Sequence, residues 1–408
     1  MSRKQIHIQA HYYLALLIAF FLPTGRFAAL FIALSLLNWL IEGDFKNKFQ
    51  IIFQNKFALI FIGFYLLHLI GMLYTTNIDF GLFDLQVKLS LLILPLLLVS
   101  RPLNISQVNK VFVFFIAGGI VASFILLSRA IYIYATIHEN NFFYQAFSIF
   151  VHPSYLSMYF NVCIVWLLLA LYSYSDNKSK YFNTYATTII LFFSFIIVLL
   201  SSKLGLLTLV LIYLVVPLYL IIKRKKYVIG IVGVLLISIS SFCLIRFVPE
   251  IGDRLNNAIH AISSSSDNQT DTESTAVRLL IWKAGNQVIS ENFIFGAGTG
   301  DSKDALMSEY QKRGMTGAYG HKLNAHNEFY QVFVSIGLIG FIVFLVSLFY
   351  PLIKRFKQAN AIYGLFLVII ILNFIPESML ESQAGVMFYA FFNSLLCFCT
   401  NFVPDLET

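Results

Sequence analysis

Of the chain's 408 residues, 59% are hydrophobic, 16% aromatic and only 12% charged, and the mean hydropathy is +0.79. A water-soluble domain cannot hide that much apolar surface, so the composition specifies a membrane protein. The formal net charge of +8 sits in short clusters between hydrophobic runs, a distribution that anchors topology and argues against nucleic-acid binding.

Runs of about 20 apolar residues, enough to cross a bilayer, recur from Tyr12 to Phe402. Arg3 and Lys4 precede the first run, but no A-x-A-like cleavage site follows, so an uncleaved first helix is expected. About twelve spans are expected, near 12–24, 25–41, 57–74, 87–100, 109–134, 153–174, 184–201, 204–222, 227–248, 328–350, 361–377 and 384–402. The fold class is therefore all-α and polytopic. Short loops rich in Lys and Arg stay cytoplasmic; Lys46, Lys48, Lys56, Arg101, Lys110, Lys178, Lys180, the run Lys223 to Lys226, Lys354, Arg355 and Lys357 all fall on the side of the N-terminus.

This alternation divides the chain into an N-terminal bundle of about nine helices (1–248), a hydrophilic segment outside the membrane (249–327) and C-terminal helices (328–408). The hydrophilic segment lies between the ninth and tenth spans and is periplasmic if the cell has two membranes. It holds seven Arg and Lys against nine Asp and Glu, net −2. Residues 263–275 lack large apolar side chains and should be flexible. Val277, Leu280, Ile281, Ala284 and Val288 then recur at helical intervals, which predicts a short amphipathic helix on the membrane surface, with Arg278 near its start.

The run Phe295-Gly296-Ala297-Gly298-Thr299-Gly300-Asp301 lacks the Lys-Ser/Thr ending of a phosphate loop, and its glycines are expected to serve a tight turn with positive φ. Cys163, Cys243, Cys397 and Cys399 all fall in expected spans, which argues against a disulfide framework. No paired-carboxylate metal motif occurs. The two halves of the chain do not match, which favours an enzyme over a transporter.

Ionisable groups at span ends are costly and usually have a task. Lys88, Arg129, His152, Lys203, Arg278, His326 and Glu381 all fall near the outer ends of helices, where several cations together suit an anionic headgroup such as a lipid diphosphate. Arg246 is there too, where it can simply snorkel to headgroups. His326 precedes the tenth span, where the helix dipole disfavours imidazolium and leaves the ring suited to a general base.

Arg278-Leu-Leu-Ile-Trp282, Phe295-Gly-Ala-Gly298, His326-Asn327-Glu-Phe-Tyr330-Gln331 and Gly337-Leu-Ile-Gly340, taken in that order, resemble the signature region of the O-antigen ligase and O-antigen polymerase superfamily. His152-Pro-Ser-Tyr155, Ser202-Lys203-Leu-Gly205 and Glu381-Ser-Gln-Ala-Gly385 are similar to its layout. Where many members carry Ser-Arg before the eighth helix this chain has Ser202-Lys203, which keeps the charge and loses the bidentate fork.

The resemblance implies a glycosyltransferase of the bacterial inner membrane that needs neither a metal nor a cofactor. It would move a glycan from undecaprenyl diphosphate to a sugar hydroxyl of lipid A-core, or, in a polymerase, of another glycan repeat. Arg278 and His326 would be catalytic, and Lys203, Lys88, Arg129, His152, Glu381 and Asn327 would bind diphosphate or sugar. A lipid-linked glycan transporter and a non-catalytic assembly protein are the other classes left open; few polar residues near span centres line a path for the former.

Overall fold

A computed structural model describes residues 2–25, 27–173, 180–224, 275–356 and 361–399. The expected ninth span (227–248), residues 249–274, Cys243, Arg246 and the basic residues Arg26, Lys178, Lys225, Lys226 and Lys357 lie outside them. Among the described residues the chain is helical throughout, with no strand element. The helices are α1 (Arg3–Phe21), α2 (Ala28–Glu42), α3 (Phe45–Gln54), α4 (Lys56–Gly71), α5 (Ile78–Lys88), α6 (Ser90–Ser100), α7 (Ile105–Ile137), α8 (Tyr144–Phe147), α9 (Pro153–Ser173), α10 (Lys180–Leu200), α11 (Lys203–Arg224), α12 (Thr275–Glu291), α13 (Ser302–Lys312), α14 (Thr316–Gly320), α15 (Glu328–Phe356), α16 (Ala361–Phe374) and α17 (Gln383–Phe398).

Seven of the described helices or stacked pairs are long and apolar enough to cross a membrane, and the bent pair α2–α3 makes an eighth if counted as one. Shorter apolar helices begin at Lys203, Ala361 and Gln383. The expectation of a polytopic all-α membrane protein is thus met, and the described residues account for seven or eight long spans and three shorter apolar helices. α5 and α6 together cover 78–100, longer than the span expected at 87–100. α9 and α17 pack deepest, with Tyr159 stacked on Phe388 at 4.1 Å and Phe115 against Phe392 at 4.8 Å.

The α2–α3 pair turns through 117° at Gly43 and Asp44. Lys48 lies fully buried inside the elbow, where its ammonium donates to the Trp39 carbonyl (2.6 Å) and pairs with Glu42 (2.7 Å). Arg101 reaches the same Glu42 at 2.8 Å. Two cations expected among the cytoplasmic anchors are therefore partners in one ion cluster, because a buried ammonium persists only where acceptors surround it.

α15 is broken at Ile336 and Gly337, and the glycine run before α13 fills the break. Gly337 has φ +62 and Gly296 φ +77, and a side chain on either would run into the backbone of the other strand of chain. The break frees the carbonyls of Val334 and Ser335, which accept from Ala297 N (2.8 Å) and Gly298 N (3.0 Å). The freed N–H groups of Leu338 and Ile339 donate to the carbonyls of Phe293 (2.9 Å) and Ile294 (3.4 Å). Four backbone groups that lose helical partners are thus satisfied by one loop, the condition for irregular backbone inside a membrane bundle. The loop is fixed at its far end by Asp301, which accepts from the backbone N–H groups of Thr76 and Asn77, both at 2.7 Å.

The apolar stripe of α12 behaves differently from expectation. Val277, Ile281, Ala284 and Val288 pack against Leu306, Tyr310, Met315, Ala318, Ala325 and Val334 in a small separate core. α13 and α14 cover the stripe, so its apolar face is satisfied within the protein instead of by lipid.

Candidate functional site

The segment between α16 and α17 opens at Pro376, which cannot continue the preceding helix, and places Glu377 where three distant parts of the chain meet. Arg278, in the first turn of α12, donates from Nη2 to Glu377 Oε1 at 3.1 Å. His326 Nδ1 stands 3.8 Å from Glu377 Oε2. The Glu377 side chain is 13% exposed.

His326 sits in the left-handed region (φ +43), and its neighbours hold it there. Its N–H donates to Asn324 Oδ1 (3.0 Å), Ala325 N donates to Gln331 Oε1 (3.1 Å), and Trp282 Nε1 donates to the Ala325 carbonyl (3.1 Å). The Asn327 side chain accepts from Tyr330 N (3.1 Å) and so caps α15, while its N–H donates to Ser378 Oγ (3.1 Å) and ties the histidine turn to the glutamate loop.

Burial pushes the Glu377 carboxyl toward its neutral form, but His326, Arg278 and His152 outweigh that effect and hold its pKa below the ordinary carboxylate value. Glu377 is therefore an anion at neutral pH, suited to orient cations and ill suited to carry protons. His152 packs edge-on against Tyr144 and Tyr155 at the start of α9. Lys203 is exposed at the start of α11, which is bound to α9 through Ser202 Oγ to Ser154 Oγ (3.3 Å) and Asn161 Nδ2 to the Gly205 carbonyl (3.0 Å). Arg129 donates to the Ala146 carbonyl (2.8 Å) and supports the turn that carries Tyr144; no described contact joins it to Glu377.

Residues 188–345 match the family model described as O-antigen ligase. This match supports membership of the O-antigen ligase superfamily. The matched stretch contains Lys203, Arg278 and His326 and stops short of Glu377. Over 187 residues the chain is also 24% identical to an uncharacterized protein of Haemophilus influenzae, a match spanning 43% of this chain and 46% of that protein. The match thus covers about half the length of the curated relative.

The glutamate loop is held by a second polar cluster next to the first. Lys88, 1% exposed, is paired with Asp84 one turn earlier and with Glu381 Oε1 at 2.7 Å. Glu328, fully buried at the start of α15, accepts from Leu380 N at 2.7 Å, and its Oε1 has no partner among the described residues. The structure thus brings Arg278, His326, His152 and Asn327 to the Glu377 side of the loop and Lys88 and Glu381 to the other. Among the described residues no group of three or more His, Cys, Asp or Glu side chains is arranged to hold a metal ion.

Sequence reasoning passed over Glu377 and Glu328. The signal for Glu377 was its place beside Pro376, four residues before Glu381, where two acidic residues flank one helix break. For Glu328 it was a carboxylate opening an apolar helix two residues after His326.

Proposed function

We propose that the chain is an O-antigen ligase-like glycosyltransferase. It moves a glycan from undecaprenyl diphosphate to a sugar hydroxyl of an acceptor such as lipid A-core, on the periplasmic face of the inner membrane. The observation that carries this reading is the convergence of Arg278, from the first turn of α12, and His326, from the turn before α15, on the one carboxylate of Glu377.

In this reading the acceptor hydroxyl gives its proton to His326 as its oxygen bonds to the anomeric carbon. The bond from that carbon to the diphosphate oxygen breaks, and the electron pair leaves on the diphosphate. Arg278 and Lys203 meet the charge that builds there; a preorganised donor at such a position is typically worth about 3 to 4 kcal/mol. Attack from the face opposite the diphosphate inverts the anomeric carbon, the outcome expected of this superfamily.

The test is transfer of labelled glycan by the purified wild-type and His326→Ala proteins, with and without lipid A-core. His326-dependent transfer to the added acceptor, with release of the diphosphate lipid, supports a ligase. A growing ladder without the acceptor identifies a polymerase using the same donor. Folded protein that releases no diphosphate lipid under either condition overturns both and favours transport or assembly.

A further inference from the structure

Glu377 serves its two partners unequally. Oε1 is hydrogen-bonded to Arg278, whereas Oε2 stops 3.8 Å from His326 Nδ1, beyond hydrogen-bond range, and that nitrogen is buried without a hydrogen-bond partner among the described residues. An unmade bond at a buried ring nitrogen is unfavourable, and a movement of about 1 Å would make it. The histidine is pinned by the contacts of Asn324, Ala325 and Asn327, so the movement falls to the glutamate, which is restrained by its bond to Arg278.

We propose that Glu377 is a positioning residue whose carboxylate is held by Arg278 in the resting protein and passes to His326 Nδ1–H when a diphosphate claims the guanidinium. The inference rests on the preceding reading of Arg278 as a diphosphate ligand and His326 as the base. Closure fixes the Nδ1–H tautomer and leaves Nε2 as the atom that takes the acceptor's proton. The base is thereby armed only once the donor is in place. Glu377 itself stays ionised, the acceptor proton resides on Nε2, and it returns to water after the products leave.

The charged and titratable groups around this pair are Arg278 on α12, His152 and Tyr155 at the start of α9, Glu328 on α15, and Glu381 further along the glutamate loop. Only Glu377 stands within 4 Å of Nδ1 among the ion pairs described. In the resting protein His326, Arg278 and His152 hold the carboxylate ionised against its burial, so it is already an acceptor for Nδ1–H when Arg278 is drawn away.

The experiment uses the full-length protein with 15N-labelled histidine and farnesyl diphosphate as the probe. In the wild type, a downfield Nδ1 proton signal, assigned by its loss in His326→Asn, should appear on adding the probe. In Arg278→Ala it should be present without any probe, because the carboxylate has been released. Glu377→Gln should bind the probe within about threefold of wild type, lack the signal, and show kcat lowered about 10- to 100-fold with a displaced pH profile. A signal already at full strength in the resting wild type, or one retained in Glu377→Gln, overturns the proposal. Probe binding that depends on Arg278 and leaves His326 unchanged overturns this inference alone, whereas no probe binding at all overturns the functional reading with it.

Discussion

A lysine ammonium stripped of solvent survives only among carboxylates, and Lys88 has Asp84 on its own helix and Glu381 from the loop after α16. Lys88→Met would leave two buried carboxylates facing each other, a loss on the order of 3 to 5 kcal/mol, seen as a lowered unfolding temperature in detergent. Adding Asp84→Asn and Glu381→Gln to the same protein should recover most of it. Arg278→Ala is expected to slow transfer about 100- to 1,000-fold, with Arg278→Lys in between because the point charge remains. The lowered pKa of Glu377 gives stability that is complete above the unfolded carboxylate value and lost only as pH falls through the lower folded value. The difference in unfolding temperature between wild type and Glu377→Gln should therefore plateau at neutral pH and vanish in acid. Arg278, His152 and His326 were legible in the sequence because cations and histidines at helix ends stand out against apolar runs. Glu377 was not, since its task depends on two residues more than 50 positions upstream.

The broken helix and the glycine run form one element in two pieces of chain. Gly337→Ala carries the left-handed backbone penalty of about 1 to 2 kcal/mol and also collides with the Gly296 and Ile294 backbone. Gly43→Ala also places a side chain at positive φ, but in open space. Thermal unfolding should therefore show a markedly larger loss for Gly337→Ala. Positive φ at Gly296 and Gly298 was legible from the spacing of the glycines. The helix break that receives them was not, because Gly337 lies in a run whose apolar pattern continues without interruption, and only the tertiary contact distinguishes a break from a plain span. The stripe of α12 was legible as amphipathic, while its partner, α13 and α14, is a tertiary choice that periodicity does not encode.

At the scale of the molecule, α4 fixes the distance between two ends. It starts beside the elbow that buries Lys48 and ends where Thr76 and Asn77 bind Asp301, about 24 Å away for 16 residues. Phe57 packs on Tyr350 at the elbow end, so α15 runs between the same two levels. Arg3 and Arg101 reach the end of α2 at the elbow and Lys56 opens α4, whereas Arg278, His326 and Glu377 meet at the loop after α16. Cys163, Cys397 and Cys399 are buried, so in a Cys243→Ser background Gln311→Cys should react with an impermeant thiol reagent added to the periplasm, and Lys46→Cys only after the inner membrane is opened. Reaction of both from the same side would reverse or abolish the proposed orientation. Membrane class followed from composition alone; the number of crossings did not, because short helices such as α16 and α17 owe their place to burial among neighbours more than to length.

The order in which the parts leave the ribosome has its own consequence. Arg278 and His326 are made before α16, but their shared carboxylate and the second counter-charge of Lys88 come only with the segment after it. A chain cut short behind α15 carries Arg278, His326 and Lys88 without the Glu377 and Glu381 carboxylates that face them in the complete fold. Under the proposed function such a fragment would be both unstable and inert.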